Sequence, residues 1–218
     1  MTLYGARMFT FSVMGDSISS FEGTSPENYA VAYPMPDSGV YRRNDMWWAH
    51  FERLTGNTMI CNDSYSGSRI SETGSRPLWS AFVSDSRIAR LKGDAVIVFG
   101  GTNDFGQRAE GAAPLTVFEA AYTILIKKIR KALPDAVAYF CVPPVRSDWE
   151  LTEKNDCGWT QLDLQYSVRS MVASAHAADR NIRAIDLSEI TVEDMLADQL
   201  HPNKKGMEAI ASCIARHI

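Results

Sequence analysis

Apolar and polar positions along the chain fall into two alternating rhythms. Short apolar runs at Met8–Met14, Thr58–Asn62, Ala95–Phe99, Ala136–Val142 and Arg183–Ile185 read as strands. Ala95-Val96-Ile97-Val98-Phe99 is apolar at every position, the pattern of a central parallel strand covered on both faces. Between these runs the period lengthens to that of a helix. Asn44 or Asp45 can cap a helix over Met46–Leu54, and Gly56 can close it. Trp47 and Trp48 are adjacent there, so one is expected to pack inward and the other to lie near the surface. Phe118, Tyr122, Leu125, Ile126 and Ile129 form an apolar stripe that stops at Pro134. Leu164, Val168, Met171, Val172 and Ala175 form another, and a last helix runs from about Asn203 with Met207, Ile210 and Ile214 on one face. Strand then helix, repeated, predicts an α/β fold: a parallel sheet between layers of helices.

At 218 residues the chain has the size of one domain, and no linker or repeat divides it, so 1–218 is expected to be a single unit. Hydrophobic residues at 45% and charged residues at 22% are too apolar a mixture for a disordered chain. The net charge of −4, with charges dispersed, argues against a nucleic-acid partner. No apolar stretch reaches the ~18 residues of a membrane span. Met1–Met14 lacks the apolar core and cleavage site of a signal peptide, so a cytoplasmic protein is expected unless an export signal has already been removed. Cys61, Cys141, Cys157 and Cys213 are scattered without disulfide-like spacing, and Cys61 and Cys141 read as small strand hydrophobes.

In a parallel sheet ligands bind beyond the carboxyl ends of the strands, so the segments there carry the chemistry. They are Gly15-Asp16-Ser17, Asp63–Ile70, Gly100–Asp104, Pro143–Trp159 and Asp186–His201. Together they hold the parts of acyl transfer through a serine ester: a hydroxyl, a histidine to deprotonate it, an acid to orient the histidine, and donors for the oxyanion. Ser17 follows Gly-Asp directly after a strand, and Ser64, Ser66 and Ser68 are rival nucleophiles. Among the histidines, His50 and His176 lie inside helical patterns and His217 near the last residue. His201 stands three residues after Asp198 in a turn, with Asp186, Glu193 and Asp194 as alternative acids. Asn103 can present its amide beyond the most buried strand, and Gly67 an unhindered N–H. Read singly, each is also explained as a turn residue or a helix cap.

Taken in order, the four segments resemble an SGNH (GDSL-type) esterase/lipase. Its four blocks fall on Gly15-Asp16-Ser17, Gly67, Gly101-Thr102-Asn103-Asp104 and Asp198–His201, nearly the whole chain. The resemblance implies Ser17 as nucleophile, His201 as base and Asp198 as its acid. It implies an oxyanion hole from the Ser17 and Gly67 amides and the Asn103 side chain. It also implies a three-layer α/β/α sandwich around a flavodoxin-like five-stranded parallel sheet, with no metal or cofactor needed.

Two aromatic loops surround these blocks: Phe21–Asn44 with Tyr29, Tyr33 and Tyr41, and Pro143–Trp159 with Trp149 and Trp159. They serve as substrate wall or as anchors for long loops. With no long apolar segment for an acyl tunnel, a short-chain ester, such as acetyl, of a carbohydrate or other small metabolite is the expected substrate. Thioesters and lysophospholipids are the alternatives within the family. Arg42, Arg43, Arg69 and Arg146 are candidates for an anionic group. A non-catalytic flavodoxin-like module holding a nucleotide or flavin is the rival class, although no phosphate-binding glycine motif occurs. A zinc hydrolase would need a second histidine at ligand spacing, which is missing. Nothing in the sequence sets the oligomeric state.

Overall fold

A computed structural model of the protein describes residues 8–107, 110–190 and 193–218, so the first seven residues of the Met1–Met14 segment lie outside it. Five strands, β1 (Thr10–Gly15), β2 (Thr58–Ser64), β3 (Ala95–Phe99), β4 (Val137–Val142) and β5 (Ile182–Asp186), form one sheet in the order β2-β1-β3-β4-β5. Every pairing is parallel, with Phe11 beside Ala95 and Gly15 beside both Ser64 and Phe99. Six helices accompany them: α1 (Trp47–Thr55), α2 (Asp85–Ile88), α3 (Thr102–Phe105), α4 (Leu115–Ala132), α5 (Gln161–Ala178) and α6 (Lys204–His217).

The pleat sorts side chains into two cores, one on each face of the sheet. Val96 and Val98 pack with Phe118, Tyr122, Leu125 and Ile129 of α4 and Leu164, Val168 and Val172 of α5. Ile97 and Phe99 point the other way, toward Trp47 and Phe51 of α1 and Met207, Ile210 and Ile214 of α6. This is the α/β/α sandwich expected, and it explains why β3 is apolar throughout. β5 is an edge strand whose Arg183 and Ala184 face water. None of the described helices is long and apolar enough to cross a membrane.

Three local expectations are refined. Asp45 does not cap α1; its carboxylate accepts the Tyr41 and Arg42 amides and closes a single 3-10 turn, and Met46 precedes α1 without a side-chain cap. Gly56 does end α1, at φ 76°, with its N–H on Glu52 O. Trp47 and Trp48 are both fully buried, because α1 is covered by the sheet on one side and the loop after β1 on the other. Their indole N–H groups meet on one residue, Trp47 on Ser19 Oγ and Trp48 on Ser19 O, each at 3.0 Å. Cys141 is buried as expected, while Cys61 is only half-buried.

The connection from β1 runs out to β2, and the chain then returns across the sheet to β3. That reversal lies between β1 and β3, and parallel sheets open a crevice at such a point. Ser17 follows β1 and Asn103 follows β3, so both stand at its mouth.

Candidate active site

The turn after β1 is tightly specified. Gly15 has no room for a side chain, since a Cβ there would lie 2.5 Å from Ser19 Cβ and 2.6 Å from Ser64 Oγ. Asp16 Oδ1 accepts the Ile18 N–H at 3.0 Å, and the Ser19 and Ser20 amides turn back onto Asp16 O and Ser17 O. Ser17 is thereby held at the carboxyl edge of the sheet, 3% exposed. Its Oγ makes no hydrogen bond among the described residues, to His201 or to any other group. Catalytic contacts in an empty site are often loose and tighten around substrate.

Asp16 itself is fully buried, and burial raises its carboxyl to about 7, against smaller opposing effects from the Ile18 amide and Arg87. With a folded value above the ordinary 3.8, the native state keeps a proton that the unfolded chain has lost. The resulting stability is present below about pH 4 and is lost as the pH rises toward 7. Asp16→Asn should therefore flatten this decline, so that urea midpoints of variant and wild type diverge between pH 4.5 and 7.5. Parallel midpoints would show that the carboxyl ionises freely.

The second wall is the loop after β2. Gly67 adopts φ +80°, a conformation that favours glycine. Asp104, just past Asn103, reaches across and accepts the Ile70 N–H at 2.7 Å, the Ser71 N–H at 3.1 Å and the Ser71 hydroxyl at 2.6 Å. Burial dominates these bonds and raises Asp104 to about 6. Asn103 Nδ2 donates to Ser68 O at 3.0 Å and lies 3.5 Å from Asp16 Oδ2, so its amide spans the gap between the two walls. Neither the Ser17 nor the Gly67 backbone N–H has an acceptor among the described residues. Unpaired amides are rare in a buried turn. Here they belong to the residues next to Asp16 and Ser68, the two partners that Asn103 Nδ2 bridges.

His201 comes from the loop before α6, whose N-cap Asn203 accepts the Gly206 N–H at 3.1 Å. Asp198 holds it twice: Oδ2 lies 2.8 Å from His201 Nδ1, and Oδ1 accepts the His201 backbone N–H at 2.7 Å. Burial opposes the charge on Asp198, but these two bonds and the Leu200 N–H outweigh it and hold its carboxyl below the usual range. With Nδ1 committed, Nε2 is the nitrogen left for a substrate-side proton. Tyr33 links this loop to the first. Its hydroxyl donates to Pro202 O at 2.6 Å, its ring lies edge-on to the His201 ring at 6.3 Å, and burial, Asp198 and Asp16 together raise its phenol.

Several rival residues have other partners, and Glu193 and Asp194 are exposed. Asp186 is bound by Arg169 at 2.7 Å and by Ser188. Asp194 offers its backbone O to Asn203. Ser64 Oγ donates to Asn62, and Ser68 Oγ accepts from Arg87. Ser66 sits half-buried with its amide on Ala30 O. His50 pairs with Arg53, His176 with Ile182 O and His217 with Cys213 O.

Arginines expected to receive an anion are largely occupied. Arg146 grips Asp148 through two bonds of 2.6 and 2.7 Å, Arg43 pairs with Glu52, and Arg69 donates to Thr73, Gln107 and Gly111. Trp149 and Trp159 pack against Phe105, and Trp159 donates to Ala113 O, so they anchor their loop. The exposed ring beside the site is one the sequence pattern did not mark. Trp79, 42% exposed, stands against Tyr29 and Tyr65, two residues before Gly67. Nor did it mark Arg87, a fully buried cation behind the loop.

These features agree with what the chain resembles among known proteins. It matches the family of GDSL-like lipases and acylhydrolases over residues 9–218, and it belongs to that family. It is an ester-hydrolysing enzyme. A GDSL-like lipase of Bacteroides ovatus shares 25% identity and a TM-score of 0.71, over 97% of this chain and 98% of that one. Its counterpart from Bacteroides uniformis shares 23% at a TM-score of 0.72, over 97% and 95%. A family two carbohydrate esterase from Clostridium thermocellum, solved with cellohexaose, shares the fold at 21% identity and a TM-score of 0.68, over 98% of this chain and 65% of that one. No curated protein sequence matches the chain.

Proposed function

We propose that the chain, as one catalytic domain over 1–218, hydrolyses a short-chain ester of a carbohydrate or similar small metabolite through a Ser17 acyl-enzyme. The observation that carries this reading is the pair of backbone amides, Ser17 and Gly67, that have no acceptor among the described residues and lie on the two segments that the Asn103 amide bridges, next to Asp16 and Ser68. An oxyanion needs such donors, and fixing them in advance removes the cost of reorganising them during the reaction. Ser17 attacks the ester carbonyl while His201 Nε2 takes its proton, and Asp198 steadies the imidazolium through Nδ1. The imidazolium then protonates the leaving alcohol, and a water deprotonated by the same nitrogen releases the acid.

A sugar is favoured by Trp79, a flat, partly exposed apolar ring that packs against Tyr65, two residues before Gly67. The carbohydrate-esterase neighbour is a likeness of fold and agrees with this reading. A fluorophosphonate probe should label the wild type and leave Ser17→Ala unlabelled; equal labelling would remove Ser17 from the mechanism. Across p-nitrophenyl esters the rate should peak at two to four carbons, and a peak at eight or more would overturn the short-chain preference. Trp79→Ala should raise KM for an acetylated oligosaccharide about tenfold while moving that for p-nitrophenyl acetate less. Equal shifts for both substrates would refute the platform.

A further inference from the structure

Gln107 stands four residues after Asn103 and outside the four sequence blocks. Its side-chain Nε2 donates to two acceptors at once, Gly67 O at 2.8 Å and Asn103 Oδ1 at 3.1 Å. Its Oε1 accepts from Arg69 Nη2 at 3.2 Å. Arg69 is 3% exposed and is held by Gly111 O at 2.6 Å and Thr73 Oγ1 at 3.0 Å.

The polarity of this chain is forced at both ends. A guanidinium can only donate and a backbone carbonyl can only accept. Arg69 therefore requires the Gln107 oxygen on its side, and Gly67 O requires the Gln107 nitrogen on the other. The nitrogen so placed obliges Asn103 to turn its own oxygen toward Gln107. The Asn103 NH2 must then face Ser68 O and Asp16, the residue before Ser17. Ser68 O favours this orientation from one side and Gln107 locks it from the other; without Gln107 the Asn103 oxygen loses its donor, and the flipped amide, which would present a carbonyl to the developing oxyanion, is opposed by Ser68 O and the weaker Asp16 contact alone. The same Nε2 also fixes the peptide that carries Gly67.

We propose that Gln107 is a positioning residue that sets the orientation of the Asn103 amide and the Gly67 peptide, and so assembles the oxyanion hole. It touches no reacting atom itself. The inference rests on the reading that Asn103 and Gly67 hold the oxyanion.

The test compares Ser17→Ala, Asn103→Ala, Gln107→Leu and Gln107→Glu on p-nitrophenyl acetate. Asn103→Ala should cost about 10²–10³ in kcat. Gln107→Leu keeps the volume and loses the polarity, and should lower kcat about tenfold with little change in KM. Gln107→Glu should be worse, approaching Asn103→Ala, because a carboxylate attracts the Asn103 NH2 and turns its oxygen toward the hole. Lowering the pH returns a proton to that carboxyl and restores a donor, so the ratio of Gln107→Glu to wild-type kcat should rise on acidification. A role in stability alone predicts the opposite order of evidence: both variants lose melting temperature, and the ratio does not depend on pH. That result, or wild-type kcat in both variants while Asn103→Ala is impaired, overturns the role of Gln107. Retained activity in Ser17→Ala or Asn103→Ala would instead overturn the underlying reading of the site.

Discussion

Ser17→Ala and His201→Ala should each lower kcat by about four to six orders of magnitude, and the double variant should be scarcely worse than either. The reason is that in the proposed mechanism the two groups perform one step. A hydroxyl without a base, or a base without a hydroxyl, transfers no acyl group, so the second deletion removes nothing further. What remains is the contribution of binding and of the oxyanion donors, roughly 10³-fold over water. Asp198→Asn should be milder, about 10²–10⁴-fold, because Asp198 stabilises rather than performs the proton transfer. Its side chain is 48% exposed, so solvent screens its charge and the lower end of that range applies. Steady-state kinetics on one activated ester would check all four enzymes. Additive losses in the double variant would mean that Ser17 and His201 act in separate steps.

The largest effect on stability should come from Arg87. Its guanidinium, with no exposed surface, donates to Asp63 Oδ1 at 2.6 Å, Asp63 O at 2.5 Å, Gly15 O at 2.9 Å, Ser80 O at 2.7 Å and Ser68 Oγ at 3.2 Å, and it stacks 4.5 Å from the Phe82 ring. Five acceptors from four segments converge on one cation. Arg87→Met should destabilise the fold by about 3–5 kcal/mol, since it breaks a buried ion pair and removes the shared donor of these acceptors, of which Gly15 O keeps the Tyr65 N–H at 3.1 Å. For a chain of this length that lowers the melting temperature by roughly ten degrees. Arg90 and Tyr29 still contact Asp63 Oδ2 and limit the damage to that carboxylate. Lysine should not rescue the site, because a single ammonium cannot reach so many acceptors. A melting temperature within two degrees of wild type would show that water satisfies these groups.

Much of the fold could be read from the chain because burial writes itself into periodicity. β3 is covered on both faces and reads apolar throughout; α4 and α5 each bury one stripe and expose the rest. Where burial is two-sided the pattern misleads. Trp47 and Trp48 sit on a helix enclosed from both directions, so spacing does not distinguish inside from outside. The candidate site could be assembled from the chain for a different reason: Ser17, Gly67, Asn103 and His201 are short signals that follow a strand or precede the last helix. Residues that serve through long-range partners carry no local mark. Arg87 looks like any surface arginine of a short helix, and Trp79 like any loop aromatic. Gln107 offers only its spacing of four from Asn103, and its meaning appears once Gly67 and Arg69 are brought beside it.

Tyr33 joins the loop that covers the first block to the one that carries the imidazole, through Pro202 O and the edge of His201. Anyone reshaping that cover to admit a bulkier acyl group is therefore also handling the residue proposed to move the proton. Libraries that randomise 21–44 freely would mix changes of selectivity with losses of turnover, whereas libraries that keep Tyr33 would separate them.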